Sequence, residues 1–98
     1  MAVEALSDAA ITEALVGLDG WERDGDSLVK TFETGTYPQG LAFATAAGMV
    51  ADGMNHHPDI VIGWKKVTLT FTTHDAGSKI SQLDIDTAKA VNAIAIRT

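Results

Sequence analysis

The spacing of apolar positions along the chain switches between a period near 3.6 and a period of 2, and the switches mark out its elements. Ile11, Leu15 and Leu18 recur at +4 and +3 behind Ser7, whose hydroxyl suits a cap, and Asp8, whose charge suits the positive helix start. A first helix is expected there, ending at Gly17 and Gly20. From Trp21 to Phe32 the pattern reads as a hairpin turning at Asp24-Gly25, with Leu28 and Phe32 on one strand face and Lys30 the odd member of it. Thr36 and Gln39 have capping-box spacing, and Pro38 falls in the first turn, where its missing N–H is harmless. A second helix should therefore run from here to about Met54.

Asp59 to Trp64 and Lys66 to Thr73 are rich in Ile, Val, Thr and Phe and separated by a tight turn, the mark of a second hairpin. Its second strand alternates. Val67, Leu69, Phe71 and Thr73 point one way and Thr68, Thr70, Thr72 and His74 the other, as in a sheet with one covered face. Ser81 and Asp84 again have capping spacing, with Ile80 placed to staple against Ile85. Ile85, Ala88, Val91, Asn92 and Ala95 then form the stripe of a closing helix. The pattern implies an α+β fold, a four-stranded antiparallel sheet with three helices packed on one face in the order αββαββα.

The middle helix stands apart. Almost every residue from Gly40 to Ala51 is apolar or small, and a helix apolar all round has to be covered on more than one side. Gly40, Ala42, Ala44, Ala46, Ala47 and Gly48 would let a second backbone approach closely. Two accounts fit: a subunit contact in addition to the sheet, giving a homodimer or homotetramer, or a core built from unusually small residues. The stretch is well short of the ~20 residues needed to cross a bilayer, so no membrane partner is expected.

Composition narrows the function classes. Ninety-eight residues, 46% of them apolar, support one hydrophobic core, so residues 1–98 are expected to form one domain. The absence of cysteine removes disulfides, thiolate clusters and cysteine nucleophiles together, and suits a reducing compartment, with the cytoplasm as default. Thirteen acidic against seven basic residues give a formal charge of −6, the wrong sign for tracking a phosphate backbone, so direct nucleic-acid binding is disfavoured. Glu4, Asp8 and Glu13 all precede the first basic residue, Arg23, which leaves no positively charged start for a secretory signal.

The three histidines fall in two short segments, His56-His57-Pro58 at the end of the long helix and His74-Asp75 at the end of the last strand. Helix end and strand end can meet in space. Pro58 keeps His57 out of helical geometry, so the two neighbouring rings point in different directions, one free for substrate while the other is anchored. Asp52 precedes His56 by one helical turn and is placed to orient its imidazole. A carboxylate-oriented histidine is a common general-base arrangement. Two other readings compete: a polar helix terminus whose histidines complement the dipole, and a three-histidine metal site with water as fourth ligand, although adjacent histidines rarely both reach one ion. For Asp84 a helix cap is a sufficient role. Gly77-Ser78-Lys79 lacks the glycines of a phosphate-binding loop, and no G-x-S-x-G nucleophile motif occurs.

The whole constellation resembles the pterin-4a-carbinolamine dehydratase family. The family pattern is an acidic residue, three residues, His-His-Pro, an aromatic, a later histidine and then an aspartate; Asp52, His56, His57, Pro58, Trp64, His74 and Asp84 fill it. Gly20-Trp21-Glu22, Leu41-Ala42-Phe43, Asn55 through Val61 and Thr72 through Gly77 agree as well, so the likeness runs almost end to end. It departs after Gly77, where the family usually has a second glycine and a loop one residue shorter; this chain reads Ser78-Lys79-Ile80-Ser81-Gln82-Leu83-Asp84.

What the resemblance implies is a dehydratase that removes water from a 4a-hydroxytetrahydropterin to give the quinonoid dihydropterin, in tetrahydrobiopterin recycling, with no cofactor and no metal. It assigns His56 as base toward N5, His57 and His74 as acids toward the 4a hydroxyl, and Asp52 as the acidic partner of the cluster. Asn55, His56, His57, Thr72, Thr73, His74 and Asp75 match the family's pterin-contacting segments. Trp64 is expected as a pocket wall or core aromatic. Family relatives also assemble as dimers or tetramers, and some serve without catalysis as a dimerisation partner or assembly chaperone.

Overall fold

The computed structural model describes residues 3–94. Helix α1 (Asp8–Val16) starts where Ser7 Oγ accepts the Ala10 N–H at 3.1 Å and ends at Gly17. A hairpin follows, β1 (Glu22–Asp24) and β2 (Ser27–Glu33). Asp24 pairs with Ser27, so the turn is Gly25-Asp26 and not the expected Asp24-Gly25; Gly25 supplies the positive backbone angle (φ 60°) that a two-residue hairpin loop needs. Helix α2 (Tyr37–Gly53) is capped by Thr36 Oγ1, which accepts the Gln39 N–H at 3.2 Å, and carries Pro38 in its first turn. The second hairpin is β3 (Asp59–Gly63) and β4 (Lys66–Phe71). A single 3-10 turn over His74–Ala76 leads to α3 (Gln82–Asn92), whose capping box between Ser81 and Asp84 is complete. Ala95, expected on the stripe of this helix, lies outside the described residues.

The strands form one antiparallel sheet in the order β1-β2-β4-β3. With the helices the order is αββαββα, and the α+β architecture read from the pattern of elements is the one observed. Central β4 buries Val67, Leu69 and Phe71 completely, and these meet Ile11, Phe43, Ala47, Ala51, Ile85 and Val91 from the helices in one core. The opposite sheet face carries Thr31, Thr68 and Thr70 beside Val29 and the exposed Val61, and Thr31 and Thr68 join hydroxyls across it at 2.9 Å. Lys30 stays on the helix-covered face by snorkelling. Its Nζ lies over Phe32, 4.4 Å from the ring centroid, and donates to Asp19 O at 2.7 Å and Asn92 Oδ1 at 2.8 Å. Burial pushes the ammonium below its usual pKa, and Asp19 opposes that shift.

One expectation changes here. Trp64 sits in the β3–β4 turn, 74% exposed, with Lys65 Nζ 4.7 Å over its ring; it is neither a core aromatic nor a wall of the cavity described below. Strand pairing explains why: Gly63 and Lys66 pair, which puts Trp64 at the tip of the turn. The apolar middle helix is covered by its own fold along one stripe only, Gly40, Phe43, Ala44, Ala47 and Ala51. Leu41 and Met49 remain exposed, Met49 in a groove it shares with Ile62 of the edge strand β3, and among the described residues β3 has no partner on its outer side.

Candidate active site

The last turn of α2 decides where the histidines go. Asn55 adopts a left-handed conformation (φ 55°), and two backbone bonds close the helix around it, Asn55 N–H to Asp52 O at 2.9 Å and His56 N–H to Ala51 O at 3.0 Å. This is the Schellman ending, whose left-handed position takes glycine or asparagine. The reversal turns the His56 ring into the protein and leaves His57 outside, against the helix it has just left. Adjacent residues thereby acquire opposite environments.

His56 is 8% exposed and stacks on Phe71, with ring centroids 5.4 Å apart and planes inclined by 18°. Its Nε2 lies 2.5 Å from Oδ1 of Asp84, a fully buried residue in the first turn of α3. The other oxygen of Asp84 accepts the Ser81 N–H at 2.9 Å and the Thr73 hydroxyl at 2.7 Å. Because the single hydroxyl proton of Thr73 goes to Asp84, the 2.7 Å contact between Thr73 Oγ1 and Ser81 Oγ must run from Ser81 to Thr73. Asp84 thus serves as an acceptor from every side, and the proton between it and His56 belongs to Nε2. That leaves Nδ1 of His56 as the acceptor nitrogen. Among the described residues no buried side-chain nitrogen or oxygen lacks a partner and no group bonds to Nδ1, so Nδ1 is not sealed from solvent, on a residue that lines the cavity described below.

His57 is exposed, and its Nε2 lies 2.8 Å from Asp52 Oδ1. The expected pairing of Asp52 with His56 is therefore not the one formed. A continuous helix would put residues 52 and 56 one above the other; the left-handed Asn55 breaks that phase and brings His57 back to Asp52 instead. Asp52 faces the groove between α2 and β3 and touches the site only through His57. His74 opens the 3-10 turn after β4, with Nδ1 3.3 Å from Ser78 Oγ.

Helix end and strand end do meet. His56, His57 and His74 line one cavity of about 290 Å³ together with Asn55, Thr72, Thr73 and Asp75, so of the residues expected at the site all but Asp52 form its wall. Thr72 Oγ1 donates to Asp26 O at 2.8 Å and ties that wall to the first hairpin turn. Sequence reasoning missed the apolar wall residues Val3 and Leu83 and the second role of Asp84. The signal for the latter is the capping pair itself: a cap engages one carboxylate oxygen and leaves the other free for a histidine. Among the described residues no group of three His, Cys, Asp or Glu side chains is placed to hold a metal ion; the imidazoles surround a volume instead of a point.

A cavity walled by three imidazoles, one backed by a buried carboxylate and one by an exposed carboxylate, is equipped to give and take protons on a single small molecule. Comparison with known proteins places that equipment in a family. The family model described as pterin 4 alpha carbinolamine dehydratase matches residues 4–94. A protein of Roseiflexus sp. with a provisional pterin-4-alpha-carbinolamine dehydratase name is 46% identical over 89 residues, 91% of this chain and 95% of that one. One from Natronomonas pharaonis, named in the same way, is 49% identical over 75 residues, covering 76% and 80%. The crystal structure of a transcriptional coactivator/pterin dehydratase from Brucella melitensis superposes with a TM-score of 0.86 at 29% identity, over 94% of this chain and 99% of that one. A pterin dehydratase-like protein identified as a RuBisCO assembly factor in the alpha-carboxysome gives a TM-score of 0.61 at 25% identity, over 80% and 89%. This chain belongs to the pterin 4 alpha carbinolamine dehydratase family.

Proposed function

We propose that the protein is a 4a-hydroxytetrahydropterin dehydratase that works by histidine acid and base catalysis, with no metal or cofactor. The observation that carries this reading is the convergence of His56, His57 and His74 on one cavity, with Asp84 behind the first and Asp52 behind the second. Its volume, about 290 Å³, lies just under the range of roughly 300–1,000 Å³ for small-molecule sites and suits a compact bicyclic ring.

The reaction needs two proton transfers on one ring. N5 must lose its proton as the C4a=N5 double bond forms, and the hydroxyl on C4a must leave as water after taking a proton. His56 is the base, because its Nε2–H is held by Asp84 and its Nδ1 lone pair is left unengaged on a residue that lines the cavity. His57 and His74, both exposed at the rim, supply the proton to the leaving hydroxyl. Each well-placed transfer contributes ~10²–10⁴ in rate. The product is the quinonoid dihydropterin, which a reductase recycles toward tetrahydrobiopterin. Asn55, Thr72, Thr73 and Asp75 offer the polar edges that would hold the pterin.

The exposed apolar face of α2 with the open edge of β3 supports a homodimer or homotetramer, and the lack of cysteine supports a cytoplasmic setting. A second reading, a non-catalytic dimerisation partner or assembly chaperone, is favoured by the same apolar face and by the likeness to the carboxysome assembly factor. Stopped-flow assay of freshly generated 4a-carbinolamine separates the two. Dehydration faster than in buffer is expected; a rate equal to buffer would promote the assembly reading.

A further inference from the structure

We infer that Ser78 is a positioning residue for His74, and that the backbone is held in an unfavourable conformation to put it there; the inference deepens the dehydratase reading and rests on it for the role of His74. After the 3-10 turn, Gly77 and Ser78 are both left-handed, with φ 78° and 59°. For glycine this is ordinary. An L residue with a side chain adopts it rarely, and persists there only where its surroundings over-determine it.

The surroundings here do so. Thr73 and Lys79 form an antiparallel bridge, Thr73 N–H to Lys79 O at 3.0 Å and Lys79 N–H to Thr73 O at 3.3 Å, which cinches the loop at its base. Gly77 N–H and Ser78 N–H both donate to His74 O, at 3.0 and 3.3 Å. Thr73 is itself fastened to Asp84. The loop backbone is thus bound on both sides of His74, but none of these bonds reaches the imidazole. Among the described residues only Ser78 Oγ does, 3.3 Å from Nδ1.

The chemical consequence concerns the whole ring. A serine hydroxyl can donate to Nδ1, leaving the neutral ring's proton on Nε2, or accept from Nδ1–H; in either direction the ring is kept from turning its nitrogens away from the cavity that His74 lines. Ser78 thereby sets the orientation of a rim acid. The 3.3 Å separation is long for such a bond, as catalytic contacts are before a substrate tightens them.

The test compares wild type with Ser78→Ala and Ser78→Gly by nitrogen-15 NMR of the imidazoles at a pH where they are neutral, alongside kcat, KM and Tm. In the wild type the Nδ1 resonance of His74 should sit upfield of an unbonded acceptor nitrogen, and in both variants it should return downfield while the His56 and His57 resonances stay in place. Turnover should fall about tenfold with KM nearly unchanged, as expected when a reacting group is held less well. Ser78→Gly, which relieves the left-handed serine, should keep its Tm at or above the wild-type value, so that lost turnover cannot be laid to unfolding. A His74 Nδ1 resonance that is the same in all three proteins would overturn the inference. If wild type shows no dehydration at all, the dehydratase reading falls, while the nitrogen shift still decides whether Ser78 holds the ring.

Discussion

Asp84 and His56 lie 28 residues apart in the chain and 2.5 Å apart in the fold, and the carboxylate that joins them is also the cap of α3. One fully buried side chain therefore starts a helix with one oxygen and fixes a histidine with the other. The helix start and the candidate site share this residue.

Asp84→Asn should reveal that coupling. The amide keeps the size but presents an N–H₂ to one of three donors, His56 Nε2, the Thr73 hydroxyl or the Ser81 amide. We expect a loss of about 1–3 kcal/mol in urea unfolding, the cost of leaving a buried donor unpaired, together with a turnover loss of at least tenfold. A variant as stable and as active as wild type would show that the shared carboxylate does neither job.

His56→Ala and His57→Ala should differ in stability while agreeing in activity. Each should cut dehydration by ~10²-fold or more if both move protons. His56 is packed on Phe71 and bonded to a buried carboxylate, so its removal should also cost roughly 2–4 kcal/mol. His57 is exposed, and its removal should change stability by no more than about 0.5 kcal/mol. Chemical denaturation beside stopped-flow kinetics reads both effects; equal destabilisation of the two would contradict the opposite environments assigned to them.

Asp52→Asn tests the corrected pairing. Its partner is the exposed His57, and even a charged surface pair contributes only about 0–1 kcal/mol, so the melting curve should barely move. Turnover should fall several-fold through loss of His57 orientation, and NMR should show the His57 ring perturbed with His56 undisturbed. Perturbation of His56 instead would restore the pairing expected from the helix spacing.

Exhaustive chelation should leave the dehydration rate unchanged, and the purified protein should contain no stoichiometric metal. Loss of activity on chelation with recovery on adding Zn²⁺ would convert the histidine cluster into a metal site.

Assembly is best tested from the exposed side of α2. Ala47 is fully buried within its own fold and Phe43 is 6% exposed, so a charge at either position would unfold the protein without testing any interface. Met49 is 70% exposed on the face that β3 leaves open. Light scattering should find a dimer or tetramer for wild type and a smaller species for Met49→Glu, with the circular dichroism of the two alike. A monodisperse wild-type monomer at micromolar concentration would refute the proposed contact.

The elements of this fold were legible because their signals are local. Ser7, Thr36 and Ser81 cap the helices they were expected to cap, since a cap acts within three residues of itself. The alternation of β4 put Val67, Leu69, Phe71 and Thr73 inside because side chains on a strand alternate whatever lies around them. The hairpin turn at Gly25-Asp26 was missed by one residue, because Asp24-Gly25 and Gly25-Asp26 both place a glycine in the turn and only the pairing of Asp24 with Ser27 separates them. The identities of the three histidines were equally plain, but their partners were not. Asp52 chose His57 because a left-handed Asn55 ends the helix one residue early, and that dihedral leaves only a weak mark in the sequence. Asp84 reached His56 because α3 packs beside the end of β4, a juxtaposition of segments far apart in the chain. Periodicity and caps belong to the sequence alone; which carboxylate meets which imidazole depends on how the chain reverses and packs, and that was decided only in three dimensions.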